Sequence, residues 1–215
     1  MKRMLLPQLL IPSLLAGATQ VSVPVRPQPE CRDNQWRWEA SEFRSFFIAG
    51  DAPGHEGHHY GGITVLEEVA NGLEEYCPFP VGSRVWVPET WALAPKLAWA
   101  SDVPRVACDD SRDGEAAYFK ASFDRAGHPH WRSPATMPEW AARLRFTIEG
   151  VWVGRACDER YQGRQPVGRL IGEGMVATGD GSMTDRYIAR WNAAYPDYPW
   201  GGNPWRYTYT LRRLE

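Results

Sequence analysis

The chain has 215 residues, with 24 Lys and Arg against 26 Asp and Glu, a formal net charge of -2. Hydrophobic residues make up 43% and charged residues 23%, which excludes intrinsic disorder, collagen and a coiled coil. Near-neutral charge counts against a non-specific duplex-DNA binder, and no apolar run reaches the roughly 20 residues of a membrane helix. A chain of this length buries roughly 70% of its unfolded surface, so a single domain over residues 1–215 is expected.

Lys2 and Arg3 precede the apolar pieces Met4-Leu5-Leu6, Leu9-Leu10-Ile11 and Leu14-Leu15, which end in Ala16-Gly17-Ala18. A basic start, an apolar stretch and an A-x-A ending have the form of a secretory signal. Pro7, Gln8 and Pro12 interrupt that stretch, however. The rival reading is a strand over Met4–Leu6, a turn at Pro7 and a short helix with Gly17 as its C-terminal glycine. Residues 24–62 read as loop, with Pro24, Pro27 and Pro29 first and a Gly/His-rich stretch at 50–62 last. Inside it, Trp36, Trp38, Phe43, Phe46 and Phe47 read as an edge strand or short helix.

Val85-Trp86-Val87, between Gly82 and Pro88, reads as a buried strand. Residues 94–115 are polar and broken. Leu144, Phe146 and Ile148 alternate with polar neighbours, which predicts a half-buried strand. Gly150 then permits a bulge before Val151-Trp152-Val153 continues it. Residues 158–182 are rich in Gly and Pro, and 185–194 reads as a helix behind Thr184. Trp205, Tyr207, Tyr209 and Leu211 alternate with Arg206, Thr208, Thr210 and Arg212, the clearest strand in the chain. Strands that do not alternate regularly with helices predict an α+β fold: a small mixed β-barrel with two short helices and long loop insertions at about 30–76 and 94–130.

His55-Glu56-Gly57-His58-His59 satisfies H-E-x-x-H, but that spacing brings two histidines to one metal only on a helix. Pro53, Gly54, Gly57, Gly61 and Gly62 argue against a helix there, so no metal site is assigned. Cys31, Cys77, Cys108 and Cys157 contain no CxxC pair. Neither a nucleophile elbow nor a phosphate-binding glycine loop occurs, and no cofactor is implied. The stretch Val85 to Trp91 is more informative. It sets Glu89, Thr90 and two indoles, Trp86 and Trp91, just beyond a buried strand, where barrel proteins collect binding groups.

These residues also resemble a family. Val81 to Trp91 is similar to the "G-D-R-L-W-V-R-E-T-W" signature of phage-encoded ASCH-domain proteins, which have a PUA-like barrel. Leu15 to Gln20 with Arg26-Pro27-Gln28-Pro29 is similar to "L-x-G-R-K-T-Q-T-R-R-V-V-K-P-Q-P". Trp131 to Arg143 is similar to "W-R-P-S-I-H-M-P-R-W-A-S-R", and Trp191-Asn192 with Asn203-Pro204-Trp205 to the closing strand. The resemblance runs from about residue 4 to the end of the chain, in family order. It favours strand and helix over a signal at the N-terminus, and with that a cytoplasmic protein.

The resemblance implies a cleft for RNA or a modified nucleoside. Some small members are amidohydrolases that deacylate N4-acetylated cytidine with a Lys, a Thr and a downstream Glu. Here the Lys position is Ala18 or absent, the second Thr falls on Val21, and two Arg positions fall on Ser22 and Val23. Glu173 matches the downstream Glu, and Thr19 is the remaining hydroxyl. Losing the base removes a proton-transfer contribution of ~10²–10⁴ in rate.

The leading expectation is therefore a non-catalytic module. Trp86, Trp91, Trp131 and Trp140 would stack on bases, and Arg84, Arg132 and Arg143 would meet phosphates. An amidohydrolase rearranged around Thr19, Glu89 and Glu173 is the second reading. A secreted, disulfide-bonded domain is the third.

Overall fold

The computed structural model describes residues 1–32, 35–41, 44–49, 65–108, 114–156, 167–176 and 183–214. The H-E-x-x-H stretch and Cys157 lie outside the described residues.

Five strands build the main sheet: β1 (Lys2–Arg3), β2 (Gln20–Pro24), β6 (Arg84–Val87), β10 (Leu144–Arg155) and β11 (Trp205–Arg213). Their order is β1-β6-β10-β11-β2. All pairs are antiparallel except β1 with β6. β3 (Glu30–Arg32), β4 (Gln35–Ser41) and β5 (Arg44–Ala49) form a second sheet, and β7 (Trp91–Pro95), β9 (Glu115–Phe119) and β8 (Arg105–Ala107) a third. With α1 (Ile11–Leu15), α2 (Val65–Glu75), α3 (Val167–Gly172) and α4 (Met183–Ala194), this is an α+β fold. Among the described residues no ladder joins β1 to β2, so the main sheet is open.

Two expectations are corrected. The stretches read as loop insertions carry β3–β5, α2, β8 and β9, and the described residues hold four α-helices where two were expected. The prolines at 24, 27 and 29 precede β3 and do not interrupt the strands that follow it. In α2, Val69 and Leu73 stand four residues apart and are both fully buried, an apolar stripe that Asn71 and Gly72 obscure.

The N-terminal stretch holds a strand and a helix, but the strand is Lys2–Arg3, not the expected Met4–Leu6, which is an irregular link to the helix. Gly17 has φ +95°; its N–H donates to the Leu14 carbonyl at 3.2 Å, and the Ala18 N–H to that of Ser13 at 2.9 Å. This pair of bonds is a Schellman ending, which satisfies carbonyls the helix leaves open. Met4, Leu6, Ile11 and Leu14 are buried, so this segment is built into the core. The bulge at Gly150 is present: the β10–β11 register shifts between Ile148 and Gly150.

β6 divides the interior. Val85 and Val87 face the main core, while Trp86 faces a second cluster with Trp91, Phe119 and Met137. β11 is covered on both faces. Tyr207 and Tyr209 join the main core, and Arg206 and Thr208, read from sequence as the polar face, are also buried. On that second face Trp152 stands over Gly154, where a Cβ would overlap the indole.

Candidate functional site

Most of the predicted ligand-binding residues gather around the second cluster. Trp86 and Trp91 are 5% and 3% exposed. Trp140 meets Trp91 edge to face at 6.5 Å. The Arg132 guanidinium lies 5.1 Å over the Trp91 ring, and Arg132 also bridges Trp91 through its backbone. Trp131 packs elsewhere, against Phe123 at 5.4 Å. Thr90 uses its N–H and hydroxyl on Gln8 Oε1 at 2.8 and 3.4 Å. Arg84 is exposed at the start of β6.

Glu89 and Arg143 answer each other. Glu89 is fully buried, and Arg143 grips its two oxygens through Nε at 2.9 Å and Nη2 at 2.8 Å. Arg143 also lies 4.1 Å over the Phe119 ring. A bidentate guanidinium satisfies the charge and geometry of a buried carboxylate. The pair therefore serves the packing of this cluster, and sequence gave no sign that the two side chains were partners.

Glu173 is also buried, in a polar network between β2, β11 and α4. Ser22 Oγ donates to Glu173 Oε1 at 2.6 Å, and Tyr187 Oη donates to the same oxygen at 3.0 Å. Arg190 approaches the other oxygen at 3.8 Å. Arg206, fully buried, donates to Ser22 Oγ at 3.2 Å and to Tyr187 Oη at 3.1 Å. Its guanidinium lies between the rings of Trp152 and Trp200, at 5.4 and 5.3 Å. Thr208 completes the cluster with a 2.7 Å contact to Ser22. Burial pushes the Tyr187 hydroxyl far above its ordinary value, and the Glu173 charge adds to this.

Thr19 directly precedes β2. Its side chain is exposed, and its backbone N–H donates to the Gly172 carbonyl at 2.8 Å. Ser22 supplies the hydroxyl that Glu173 accepts from. Sequence reasoning missed this network because Ser22 and Arg206 sit on strands whose polar positions look solvated when each strand is read alone.

A cavity of about 310 Å³ is walled by Trp38, Tyr76, Phe79, Tyr195, Tyr207 and Tyr209, with Arg26 among its lining residues. Tyr207 and Tyr209 stack at 5.9 Å, Phe79 meets Tyr209 edge-on at 5.8 Å, and Trp38 lies 5.9 Å from Tyr76. The polar tips of these rings are engaged inward. Tyr207 Oη donates to the Leu73 carbonyl at 2.9 Å, Tyr195 Oη to that of Ser22 at 3.0 Å, and Trp38 Nε1 to that of Pro27 at 2.8 Å. Tyr209 Oη contacts Cys77 Sγ at 3.4 Å. Burial pushes the Tyr207 and Tyr209 hydroxyls, and the Cys77 thiol, above their ordinary values. Trp38, Tyr195, Tyr207 and Tyr209 belong to the buried core, Tyr76 and Phe79 are partly buried, and the exposed Arg26 brings a cation to the cavity. None of the residues predicted to bind ligand, nor Thr19 or Glu173, lines this cavity. The available signal was the pair Tyr207 and Tyr209 at adjacent same-face positions of β11, where an ordinary core strand carries aliphatics.

Cys77 and Cys108 are free thiols, so an arrangement pairing all four cysteines is not formed. Among the described residues no group of three or more His, Cys, Asp or Glu is placed to hold a metal, and no helix is long and apolar enough to cross a membrane.

No protein-family model, curated protein or solved structure matches the chain.

Proposed function

We propose that the protein is a non-catalytic, PUA-like binding module for RNA or a modified nucleoside, with the base seated in the tyrosine-walled cavity. The observation that carries this reading is the cavity itself: six aromatic side chains and one arginine around about 310 Å³. That volume lies at the lower end of the range for small-molecule pockets. Flat rings are taken up by stacking on aromatic walls, each stack contributing about 1–3 kcal/mol with little base preference. The barrel part of the proposal rests on the chain path: β1 and β2, the two edges of the main sheet, are joined only by the short segment that holds α1. Of the Arg26-Pro27-Gln28-Pro29 stretch that carries part of the ASCH resemblance, Arg26 lines this cavity, while Gln28 and Pro29 line a second one.

Binding is favoured over deacylation by the state of Glu173. Two hydroxyls and a guanidinium already surround its carboxylate, and it lines neither this cavity nor a second one of about 260 Å³. A general base must reach the proton it removes.

The test is a titration of uridine, N4-acetylcytidine and short single-stranded RNA, followed by intrinsic fluorescence. Saturable binding is expected, weakened about tenfold or more in Tyr76→Ala and unchanged in Trp140→Ala. The absence of saturable binding would overturn the proposal, and turnover of acetylcytidine would overturn its non-catalytic part.

A further inference from the structure

Arg26 links two cavities. It lines the tyrosine-walled one, and its guanidinium stacks 5.3 Å over the ring of Tyr198, which lines the second. That second cavity, of about 260 Å³, is also lined by Gln28, Arg155, Asp197, Asn203 and Trp205. Stacking on a ring leaves the guanidinium edge, with its N–H groups, available to an anion in its plane. Arg26 is exposed and forms no ion pair among the described residues.

The segment that carries it is held firmly. The Gln28 amide is fully used, donating to the Val25 and Trp205 carbonyls and accepting from the Trp205 N–H at 2.7 Å. Arg26 is thus placed by the backbone rather than by a carboxylate.

The charges of the second cavity limit the ligand further. Arg155 and Asp197 bring one charge of each sign. A terminal phosphate dianion there would meet the Asp197 carboxylate as well as the Arg155 guanidinium, whereas a neutral nucleoside can use both as hydrogen-bond partners without net charge repulsion. A ligand with one negative charge at Arg26 and a neutral ring system on each side answers both cavities.

Resting on the reading of the tyrosine-walled cavity above, we infer that the ligand is an RNA segment of at least two nucleotides. One base occupies that cavity, the phosphodiester lies on Arg26, and the adjoining nucleoside enters the second cavity.

The experiment compares uridine, uridine 5′-monophosphate and the dinucleotide UpU by calorimetry at several salt concentrations. UpU is expected to bind roughly ten- to a hundredfold more tightly than uridine, the gain of a charge-assisted contact. It should also carry a log–log salt slope of about -0.7, that of one phosphate on a single strand. Arg26→Gln should abolish the salt slope and shrink the advantage of UpU over uridine to what the second nucleoside contributes, and Arg26→Lys should restore the salt slope. Equal affinity for UpU and uridine in the unmodified protein, or a monophosphate that binds as tightly as UpU, would overturn this inference and leave the cavity reading standing. Failure of uridine and UpU alike to bind would overturn both.

Discussion

Trp91 and Trp140 meet edge to face at 6.5 Å in a cluster with Ala117, Ala141 and Ala142, whereas Tyr207 and Tyr209 stack at 5.9 Å beside a cavity of about 310 Å³. Both regions are aromatic, and both lie near a buried carboxylate. In the first, alanines and Met137 pack against the indoles, and Arg143 clamps Glu89. In the second, Tyr207 and Tyr195 tie their hydroxyls to carbonyls, and the partly buried Tyr76 and Phe79 border the cavity beside them. The difference teaches that aromatic abundance marks a binding wall only where the surrounding side chains leave room beside it.

The sharpest way to break this contrast is Arg143→Ala. It leaves the fully buried Glu89 without its bidentate partner, and unfolding free energy should fall by about 3–5 kcal/mol in chemical denaturation. Uridine affinity of the folded fraction should not change, because Arg143 lies away from the tyrosine-walled cavity. A loss of affinity without a loss of stability would move the site back to the tryptophan cluster.

Ser22→Ala probes the second region. It removes the 2.6 Å donor to Glu173 and the acceptor of Arg206, both buried. The expected cost is about 1–3 kcal/mol, read as a lower denaturation midpoint.

The smallest single-residue effect is one tyrosine's share of a pH dependence. Tyr187, Tyr195, Tyr207 and Tyr209 are all raised above the ordinary value of 10.0, first by burial and then by neighbouring acidic groups. A group that holds its proton longer when folded contributes stability that is present below the unfolded value and lost as pH climbs above it. Stability should therefore decline above about pH 10, by about 1.4 kcal/mol per pH unit for each tyrosine. Tyr195→Phe should flatten that decline by one tyrosine's share in alkaline denaturation. An unchanged slope would mean that Tyr195 is open to water.

Much of the framework was legible. The Gly150 bulge, the Gly17 ending and the strand at Val85–Val87 each follow from local rules: one glycine at a register shift, one at a positive φ, one apolar run between breakers. The candidate carboxylates Glu89 and Glu173 were legible as residues too. Their partners were not, because Arg143 and Ser22 reach them across 54 and 151 positions of sequence. The polar face of β11 was misread for the same reason. Alternation of Arg206 and Thr208 with tyrosines describes a half-solvated strand, but β11 lies between β10 and β2 and is covered on both sides. The cavity was invisible to local pattern because Trp38, Tyr76, Tyr195 and Tyr207 come from four separate parts of the chain.

A crystal structure of the protein soaked with uridine distinguishes the two regions directly. The pyrimidine should appear against Tyr76 and Phe79, with Arg26 at its edge. A ring bound over Trp91 and Arg132 instead, or no bound ring at saturating uridine, would contradict the assignment of the binding wall to the tyrosines.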